Sequence, residues 1–458
     1  MISEAQKKFI DSSVVNSINT NQQNILNTNN LIYQNKFSNA RLQYANINLA
    51  KKRAGAIKHR VLNNLDKYLV EFEANFTKRG GKVIWALNSQ QAVDEIYTII
   101  LKNNYQHIVK SKSVLSEEIE LQKYLKTKGI ELKETDFIEF IKKGISGDNQ
   151  FVSDLNAYNK EEIKQYLVQK YGLSKDKSIN EIITTISKIK KEIFINSEVG
   201  IVEADFIISD IGAVSISEND GDSVLSSSFT KVNIVLASIE KVIPNLADLE
   251  LFLPLLSTFK TGEKISAYNT ILTGPCQEDE TDGPTEMYVI LIDNNRTEVL
   301  SKKEQRKAMS CIQCGACSVS CPIVSLIGNN ISASSYKGPI GSVVTPYLKG
   351  INEYSHLSYA TTLCGKCSEV CPVNIPLHEL FLHNRNDFVN KREISINEKL
   401  LFWTWKKIIL SRNFMNLGSV ALKNKVFSMV FSKIWGKKRK LPEFSPKNFN
   451  QMWREKSK

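Results

Sequence analysis

The chain has 458 residues, of which 42% are apolar and 24% are charged, a composition typical of a soluble globular protein with two or three domains. Its apolar runs, such as Val232–Ser238 and Leu400–Trp405, are far shorter than the ~20 residues that cross a bilayer. The N-terminus lacks the apolar segment of a signal peptide. These features exclude an integral membrane protein and predict a cytoplasmic location.

The positive charge of the chain is concentrated at its C-terminal end. Of the net charge of +12, residues 391–458 carry +13, so the rest of the chain carries −1. The stretches Leu400–Leu410 and Val426–Trp435 are apolar and aromatic, and the basic run Gly436–Lys440 follows them. A basic amphipathic tail is typical of contact with an anionic membrane surface, here the inner face of the membrane, with a partner subunit or with the chain's own body. The aromatic residues have helical spacing, so nucleic-acid binding is not indicated.

Periodicity divides the chain into four regions. Residues 1–75 are rich in Asn, Gln and Lys and are predicted to form a solvated helical N-terminal arm. From Gly80 short apolar strands alternate with amphipathic helices, which predicts an α/β domain with a parallel sheet over residues 76–300. Residues 301–390 hold the cysteine motif, and residues 391–458 are predicted to be helical and basic.

Seven of the eight cysteines fall in one 61-residue segment, which argues for metal binding rather than for a secreted disulfide framework. The first part, Cys311–Pro322, has the spacing C-x₂-C-x₂-C-x₃-C-P of bacterial ferredoxins that hold two 4Fe–4S clusters. This spacing lets the chain curl around one cluster, and Gly315 is expected to relieve crowding against it. The fourth cysteine, Cys321, turns away and binds the other cluster.

The second part, Cys364–Pro372, has the shorter spacing C-x₂-C-x₃-C-P and lacks one cysteine, whose position is taken by Thr361. Cross-ligation then assigns Cys311, Cys314, Cys317 and Cys371 to cluster 1, and Cys321, Cys364 and Cys367 to cluster 2. Structural zinc is the main alternative, but the crossed pattern with two Cys-Pro pairs disfavours it.

The fourth ligand of cluster 2 is open. The cluster is either 4Fe–4S, completed by solvent, an oxygen ligand or Cys276, or 3Fe–4S, or it has an open iron that acts as a Lewis acid. Cys276 is expected to be a free thiol. The nearby His356, His378 and His383 are expected to be surface or packing residues.

The cysteine segment resembles the lactate-utilisation iron–sulfur protein family, in the form of the B component of a three-part bacterial L-lactate oxidation system. The resemblance runs from about residue 40 to the end of the chain and is strongest over Cys311–Pro322, Gly338–Gly341 and Leu363–Leu377. The cysteine missing at Thr361 is a trait of that family. The resemblance implies two partners, a cysteine-rich A component and a C component with a LUD domain alone.

The α/β region resembles the LUD domain, which implies a Rossmann-like layered sheet similar to sugar-phosphate isomerase and CoA-transferase folds. The matching pieces are Val109–Ser113 with Glu117 and Glu118, Glu134–Asp136, Asn219–Asp222, Glu240–Pro244, Thr273–Pro275 and Asp282–Pro284. Members of the family often carry histidines after the third strand. Residues 150–159 have none here, so a catalytic use of those histidines is not expected.

A possible ligand site lies where the strands of the α/β domain end. Lys110 and Lys112 follow a predicted strand, and ligands of open α/β sheets bind at the carboxyl ends of the strands, where a helix N-terminus favours anions. With Asn219 and Asp220 from an acidic loop, these lysines are a candidate anion site. The alternative is that they alternate with serines on an edge strand and are solvated. Phosphate-loop, dinucleotide and nucleophile-elbow motifs are absent from the sequence.

The favoured hypothesis is an iron–sulfur electron-transfer subunit of a complex that oxidises L-lactate to pyruvate. One alternative is that the LUD domain is an enzyme for a small carboxylate or phosphorylated acid, with structural clusters. Another is an iron–sulfur subunit of a different oxidation, such as that of glycolate or a dithiol.

Overall fold

The structure, a computed structural model, describes residues 3–136, 160–174, 176–328, 335–391, 396–411, 413, 419–435, 440–447 and 449–456. Contacts divide the chain into two units, Met1–Asn390 and Lys391–Lys458.

Four helices precede the first strand: α1 (Glu4–Ser17), α2 (Thr20–Ala40), α3 (Ile47–Leu62) and α4 (Leu65–Lys78). The side chain of Asn46 accepts a hydrogen bond from the Leu49 amide and begins α3. Ala54 of α3 and Phe72 and Phe76 of α4 are fully buried. The prediction of a solvated arm is therefore wrong for α3 and α4, which belong to the core of the first unit.

A six-stranded parallel sheet is the centre of the α/β domain, with the strand order β1-β10-β7-β4-β2-β3. Its strands are β1 (Lys82–Ala86), β2 (Ile108–Lys110), β3 (Leu132–Glu134), β4 (Val199–Glu203), β7 (Val232–Ser238) and β10 (Glu286–Ile292). The helices between them include α5 (Ser89–Lys102), α6 (Val114–Glu118), α7 (Leu121–Thr127), α8 (Lys160–Tyr171), α9 (Ile179–Ile195) and α10 (Asp222–Ser228). The predicted mostly parallel α/β fold is confirmed.

A second sheet packs beside the first, with the order β8-β5-β6-β9. Its strands are β5 (Phe206–Ile208), β6 (Ala213–Glu218), β8 (Val242–Ile243) and β9 (Tyr268–Leu272), and helix α11 (Leu249–Lys260) lies between β8 and β9. β6 pairs antiparallel with both β5 and β9, whereas β5 pairs parallel with β8.

The parallel sheet is apolar on both faces, as expected for a sheet covered on both sides. In β7, Val232, Ile234 and Leu236 face the core formed with α5–α7. Val235 and Ala237 face a second core, which continues through the second sheet, helices α3 and α4 and the cysteine segment. The cysteine segment therefore shares one hydrophobic core with the α/β domain.

The described part of residues 296–391, which contains the cysteine segment, consists of helices and loops, in agreement with the predicted helical ferredoxin-like domain. Its helices are α12 (Arg296–Ser301), α13 (Ala316–Val319), α14 (Pro322–Ile327), α15 (Gly338–Leu348), α16 (Ile351–Tyr354), α17 (Lys366–Glu369) and α18 (Leu377–Lys391).

The second unit contains three helices in its described part: α19 (Ile396–Leu410), α20 (Val420–Trp435) and α21 (Phe449–Lys456). On α19 the side chains of Phe402, Trp403 and Leu410 are exposed. Among the described residues of the whole chain, every helix is too short or too polar to cross a membrane.

Candidate metal centres

The structure brings together the four cysteines that the sequence assigns to cluster 1. Cys311 follows the 3-10 turn Gln305–Ser310, Cys317 lies in α13, and Cys371 follows α17. Burial raises the pKa of Cys311, Cys314 and Cys317, and neighbouring thiols add to this effect. The charge of Cys371 raises the pKa of all three other thiols. The charge of Cys311 raises the pKa of Cys314 and Cys317, and that of Cys314 raises the pKa of Cys317. All four thiols therefore lie within electrostatic reach of one another.

A tight turn positions the first thiols of this group. Gln313 and Gly315 both adopt positive φ angles, of 56° and 76°. The Gln313 amide donates a hydrogen bond to Cys311 Sγ at 3.3 Å. A β-carbon at Gly315 would meet no protein atom within 4 Å. The left-handed backbone, rather than crowding by protein atoms, therefore favours glycine here.

The three cysteines assigned to cluster 2 line one cavity of the protein. Cys321 begins α14, Cys364 lies in the loop before α17, and Cys367 lies in α17. Burial is the largest cause of the raised pKa of Cys321 and of Cys367. The charge of Cys364 raises both pKa values further, and the charge of Cys321 raises that of Cys367. Thr361 and Thr362 line the same cavity. Cys321, Cys364 and Cys367 therefore share one cavity, and their assignment to one cluster stays a prediction.

One thiol of this second group differs in its ionisation. Burial raises the pKa of Cys311 to about 12 and that of Cys367 to about 11. The Cys364 thiol is exposed, and hydrogen bonds from the Lys366 amide and the Thr362 side chain lower its pKa. Metals bind the thiolate, so coordination must remove the protons of the buried thiols. Cys364 ionises more readily than an ordinary thiol.

A histidine reaches the second group through a serine. The Ser368 hydroxyl lies 2.7 Å from His378 Nδ1 and accepts a hydrogen bond from the His378 amide at 3.1 Å. The same serine side chain hydrogen-bonds the thiol of Cys367. His378 is therefore connected to Cys367 rather than being a plain surface residue. His356, in contrast, packs on the ring of Phe9, with centroids 5.2 Å apart.

Helix α3 supplies two lysines near the first group, which sequence reasoning missed. Lys51 Nζ donates to the Glu369 carbonyl oxygen at 2.5 Å and lies within electrostatic reach of Cys371. Lys58 is buried, donates to the carbonyl oxygens of Glu240 and Val242 and lies near Cys311. Burial lowers the pKa of Lys58 to about 8. The only signal in the sequence was their spacing of seven residues, which places both on one face of a helix.

The two lysines of the candidate anion site, Lys110 and Lys112, differ in their exposure to solvent. Lys110 is buried at the end of β2, which lies between β4 and β3, and its Nζ is 2.7 Å from the Glu134 carboxylate. Both the edge-strand position and the solvation proposed as its alternative are therefore wrong for Lys110. Lys112 is exposed, with its Nζ 3.7 Å from the Asp136 carboxylate. A site made of these residues stays a prediction, since each lysine already faces a carboxylate.

The loop residues of the same candidate site turn elsewhere. The side-chain amide of Asn219 donates a hydrogen bond to the Glu263 carboxylate at 2.7 Å. Its oxygen accepts one from the backbone amide of Ala267 at 2.8 Å. Asp220 is exposed and contributes to the raised pKa of Asp222, for which burial is the largest cause.

A buried charge network joins the α/β domain to the cysteine segment. The Arg296 side chain is fully buried, and its two terminal nitrogens donate to the two carboxylate oxygens of Glu118 at 2.9 and 2.8 Å. Its Nε lies 2.9 Å from the Glu240 carboxylate, and it also donates to the Tyr336 hydroxyl. Nearby, Lys241 pairs with Glu203 at 2.5 Å. Sequence reasoning did not find this network, because its members are far apart along the chain.

Cys276 lies outside both cysteine groups. Its thiol is half-buried and donates to the carbonyl oxygens of Gln277 and Glu280, at 3.4 and 3.3 Å. Residues 150–159, where the LUD resemblance lacks its histidines, lie outside the described residues.

The chemistry of the donor sets fits iron–sulfur clusters. Four thiols form one group, and three thiols with two hydroxyls form the other, around a cavity. Within the described ranges, no three His, Cys, Asp or Glu side chains converge closely enough to hold one metal ion. Thiolates of an iron–sulfur cluster bind separate iron atoms.

Comparison with known proteins defines the class of the chain. Residues 69–292 match the LUD domain family, and residues 307–375 match the 4Fe-4S dicluster domain family. The protein is therefore an iron–sulfur protein that combines a LUD domain with a dicluster domain.

Curated relatives define the family more closely. Lactate utilization protein B of Bacillus subtilis (strain 168) is 37% identical over 347 residues, which cover 75% of this chain and 72% of the relative. The protein of the same name from Bacillus cytotoxicus is 34% identical over 417 residues, or 88% of this chain and 87% of the relative. The chain belongs to the lactate utilization protein B family.

One solved structure shows a slight likeness. A DUF162-family protein from Deinococcus radiodurans has 10% sequence identity and a TM-score of 0.29, over 50% of this chain and 98% of that chain. A likeness of this size carries no argument about the fold.

Proposed function

We propose that the chain is the iron–sulfur electron-transfer subunit of a complex that oxidises L-lactate to pyruvate. The observation that supports this most is the separation of seven cysteines into a group of four and a group of three, in the crossed pattern of two-cluster ferredoxins. Oxidation of lactate to pyruvate releases two electrons and two protons. Bound clusters would carry those electrons one at a time.

The protein's residues would give the two centres different positions relative to solvent. Cys317 and Cys371 of the group of four are buried, and none of that group is exposed, whereas Cys364 of the group of three is exposed. The group of three is therefore the side from which an external partner reaches the pair of clusters. Cys371 and Cys321 each lie in one half of the motif and would bind the cluster of the other half, which holds the two clusters in a fixed relation.

The two-electron step needs further subunits, which the family name and the sequence resemblance suggest. The cysteine-rich A component and the LUD-only C component are the proposed partners. The basic tail, with exposed Trp403 on α19, is the proposed docking surface for one of them, and contact with an anionic membrane is the competing role.

A gene deletion tests the proposal, with complementation by designed variants. Loss of the gene is expected to abolish growth on L-lactate, and the wild-type gene is expected to restore it. Cys317→Ser removes a buried member of the group of four and is expected to fail. Cys276→Ser removes the cysteine outside both groups and serves as the matched control, which restores growth.

Spectroscopy tests the cofactor separately. Anaerobically purified protein is expected to contain about eight irons per chain and to give cluster signals in electron paramagnetic resonance after reduction. Protein without iron, or normal growth of the deletion strain on L-lactate, would refute the proposal.

A further inference from the structure

The loop at Thr361 has the backbone of a cysteine ligand turn. Leu363 has a φ of 54°, close to the 56° of Gln313, and Gly365 has a φ of 81°, close to the 76° of Gly315. A positive φ is unusual for leucine and glutamine. Each turn then leads into a four-residue helix, α13 in the first half and α17 in the second. The two turns therefore share their positive φ angles at equivalent positions and the helix that follows.

The two turns also contain equivalent hydrogen bonds from a backbone amide to the side chain two residues earlier. In the first, the Gln313 amide donates to Cys311 Sγ at 3.3 Å. In the second, the Leu363 amide donates to Thr361 Oγ1 at 3.1 Å. Thr361 Oγ1 therefore occupies the place that the ligand sulfur of Cys311 occupies in the first half. Thr361 also lines the cavity that the group of three cysteines surrounds.

We propose that the Thr361 hydroxyl is the fourth ligand of cluster 2 and binds the iron that corresponds to the one held by Cys311 in cluster 1. This inference rests on the proposed function, in which the seven cysteines hold two clusters. A hydroxyl oxygen has two lone pairs, so it can accept from the Leu363 amide and still face the cavity.

The iron bound by the Thr361 hydroxyl would be held more weakly than the irons bound by cysteine thiolates. Iron–sulfur clusters favour soft thiolate ligands, and a neutral hydroxyl oxygen is a harder and weaker donor. The C–O bond is shorter than the C–S bond, so on the same turn the oxygen reaches less far than a cysteine sulfur. The Thr361 iron is therefore the exchangeable site of the pair of clusters, while the remaining irons are held by thiolates.

The test compares variants of the full-length protein, loaded with ⁵⁷Fe, by Mössbauer spectroscopy and iron analysis. The wild type is expected to show one iron in about eight with an oxygen-ligand signature. Thr361→Ser keeps the hydroxyl and is expected to keep that signature. Thr361→Val replaces the hydroxyl by a methyl group and is expected to lose that iron, to about seven per chain, with the paramagnetic signal of an oxidised three-iron cluster.

Two further variants separate the alternatives. Thr361→Cys is expected to replace the oxygen-ligand signature with that of a fourth thiolate. Thr98→Val is the matched control, because Thr98 is an exposed threonine of α5 outside both cysteine groups whose hydroxyl donates to the Asp94 carbonyl oxygen, and it is expected to keep the distinct iron. If Thr361→Val keeps the wild-type signature, or if the wild type lacks a distinct iron, the proposal fails. A wild type without any iron would instead refute the proposed function.

Discussion

A β-carbon placed on Gly55 of α3 would lie 2.7 Å from the carbonyl oxygen of Val373. Val373 follows the Cys371–Pro372 pair, so this glycine lets α3 approach the backbone beside a proposed ligand of cluster 1. The contact brings Lys51, one turn earlier on the same helix, close to Cys371.

Gly55→Ala is expected to destabilise the protein and to reduce the iron content of cluster 1. Alanine alone would stabilise a helix interior by about 1 kcal/mol relative to glycine. The overlap with Val373 is expected to cost more, with a net loss of about 1–3 kcal/mol. Thermal unfolding and iron analysis measure both effects. The control is Lys52→Ala on the exposed face of α3, and a Gly55→Ala protein more stable than the wild type would contradict the prediction.

Lys51→Met is expected to lower the reduction potential of cluster 1. A positive charge near the thiolates favours the added electron, and its loss would remove about 1 kcal/mol, or roughly 40 mV for one electron. Potentiometric titration followed by electron paramagnetic resonance gives the potential. Lys51→Arg keeps the positive charge and is expected to shift the reduction potential less. An unchanged or higher potential in Lys51→Met would argue against a role for this charge.

Cys364 is expected to be the most reactive thiol of the two groups in iron-free protein. Hydrogen bonds lower its pKa, whereas burial raises that of Cys311 and Cys367. Alkylation follows the thiolate population, so Cys364 should react at least about tenfold faster than the buried thiols near neutral pH. Peptide mass spectrometry after brief iodoacetamide treatment measures this.

The loaded protein provides the control for that experiment. Cluster binding is expected to protect Cys364 while Cys276, outside both groups, remains reactive. Faster labelling of Cys367 than of Cys364 in iron-free protein would show that the hydrogen bonds from Lys366 and Thr362 do not govern reactivity.

Arg296→Met is expected to lower the free energy of unfolding by about 3–5 kcal/mol, because it leaves buried carboxylates without their cation. Burial alone would raise the pKa of Glu118, but the ion pair with Arg296 and its hydrogen bonds hold that pKa below its usual value. A lowered folded-state pKa gives stability that is present above the unfolded-state pKa and lost as pH falls. The difference between wild type and Arg296→Met should therefore be largest at neutral pH and shrink as the pH falls through about 4.5.

Denaturant unfolding over a pH series tests this prediction. The control is Lys302→Met, which breaks the partly exposed pair of Lys302 with Glu298, 3.4 Å apart, and should change stability by at most about 1 kcal/mol. Equal effects of the two substitutions at neutral pH would contradict the prediction.

Charge reversal in the tail distinguishes its two proposed roles. If α19 docks a partner subunit, Lys406→Glu with Lys407→Glu is expected to weaken co-purification with the A or C component at least about tenfold while leaving the iron content unchanged. Sedimentation with anionic vesicles tests the membrane role in parallel. Loss of vesicle binding without loss of partner binding would assign the tail to the membrane surface.

The parallel sheet could be predicted because its strands are buried on both faces and read as nearly continuous apolar runs. The cysteine segment could be recognised as an iron–sulfur segment, because the ferredoxin spacing is specific. The place of α3 in the core could not be predicted, because Lys51 and Lys58 make its sequence look solvated. Their charged ends are buried against backbone carbonyl oxygens, and such partners are not visible in a sequence.

The pairing of Lys110 with Glu134 shows the same limit. Strand order decides whether a lysine at the end of a strand faces solvent or a carboxylate, and β2 lies inside the sheet rather than at its edge. The alternation of lysine and serine at residues 110–113 gave no indication of this position.

The hydrophobic core that runs without interruption from the α/β domain into the cysteine segment has a consequence for turnover. Domains joined by a large apolar interface do not swing apart, so the proposed clusters would not travel between an electron donor and an acceptor on a hinged arm. If the chain transfers electrons as proposed, donor and acceptor must each come to a stationary carrier. The rate of electron flow should then follow their concentrations and the ionic strength of the medium, as expected for diffusional encounter between charged proteins.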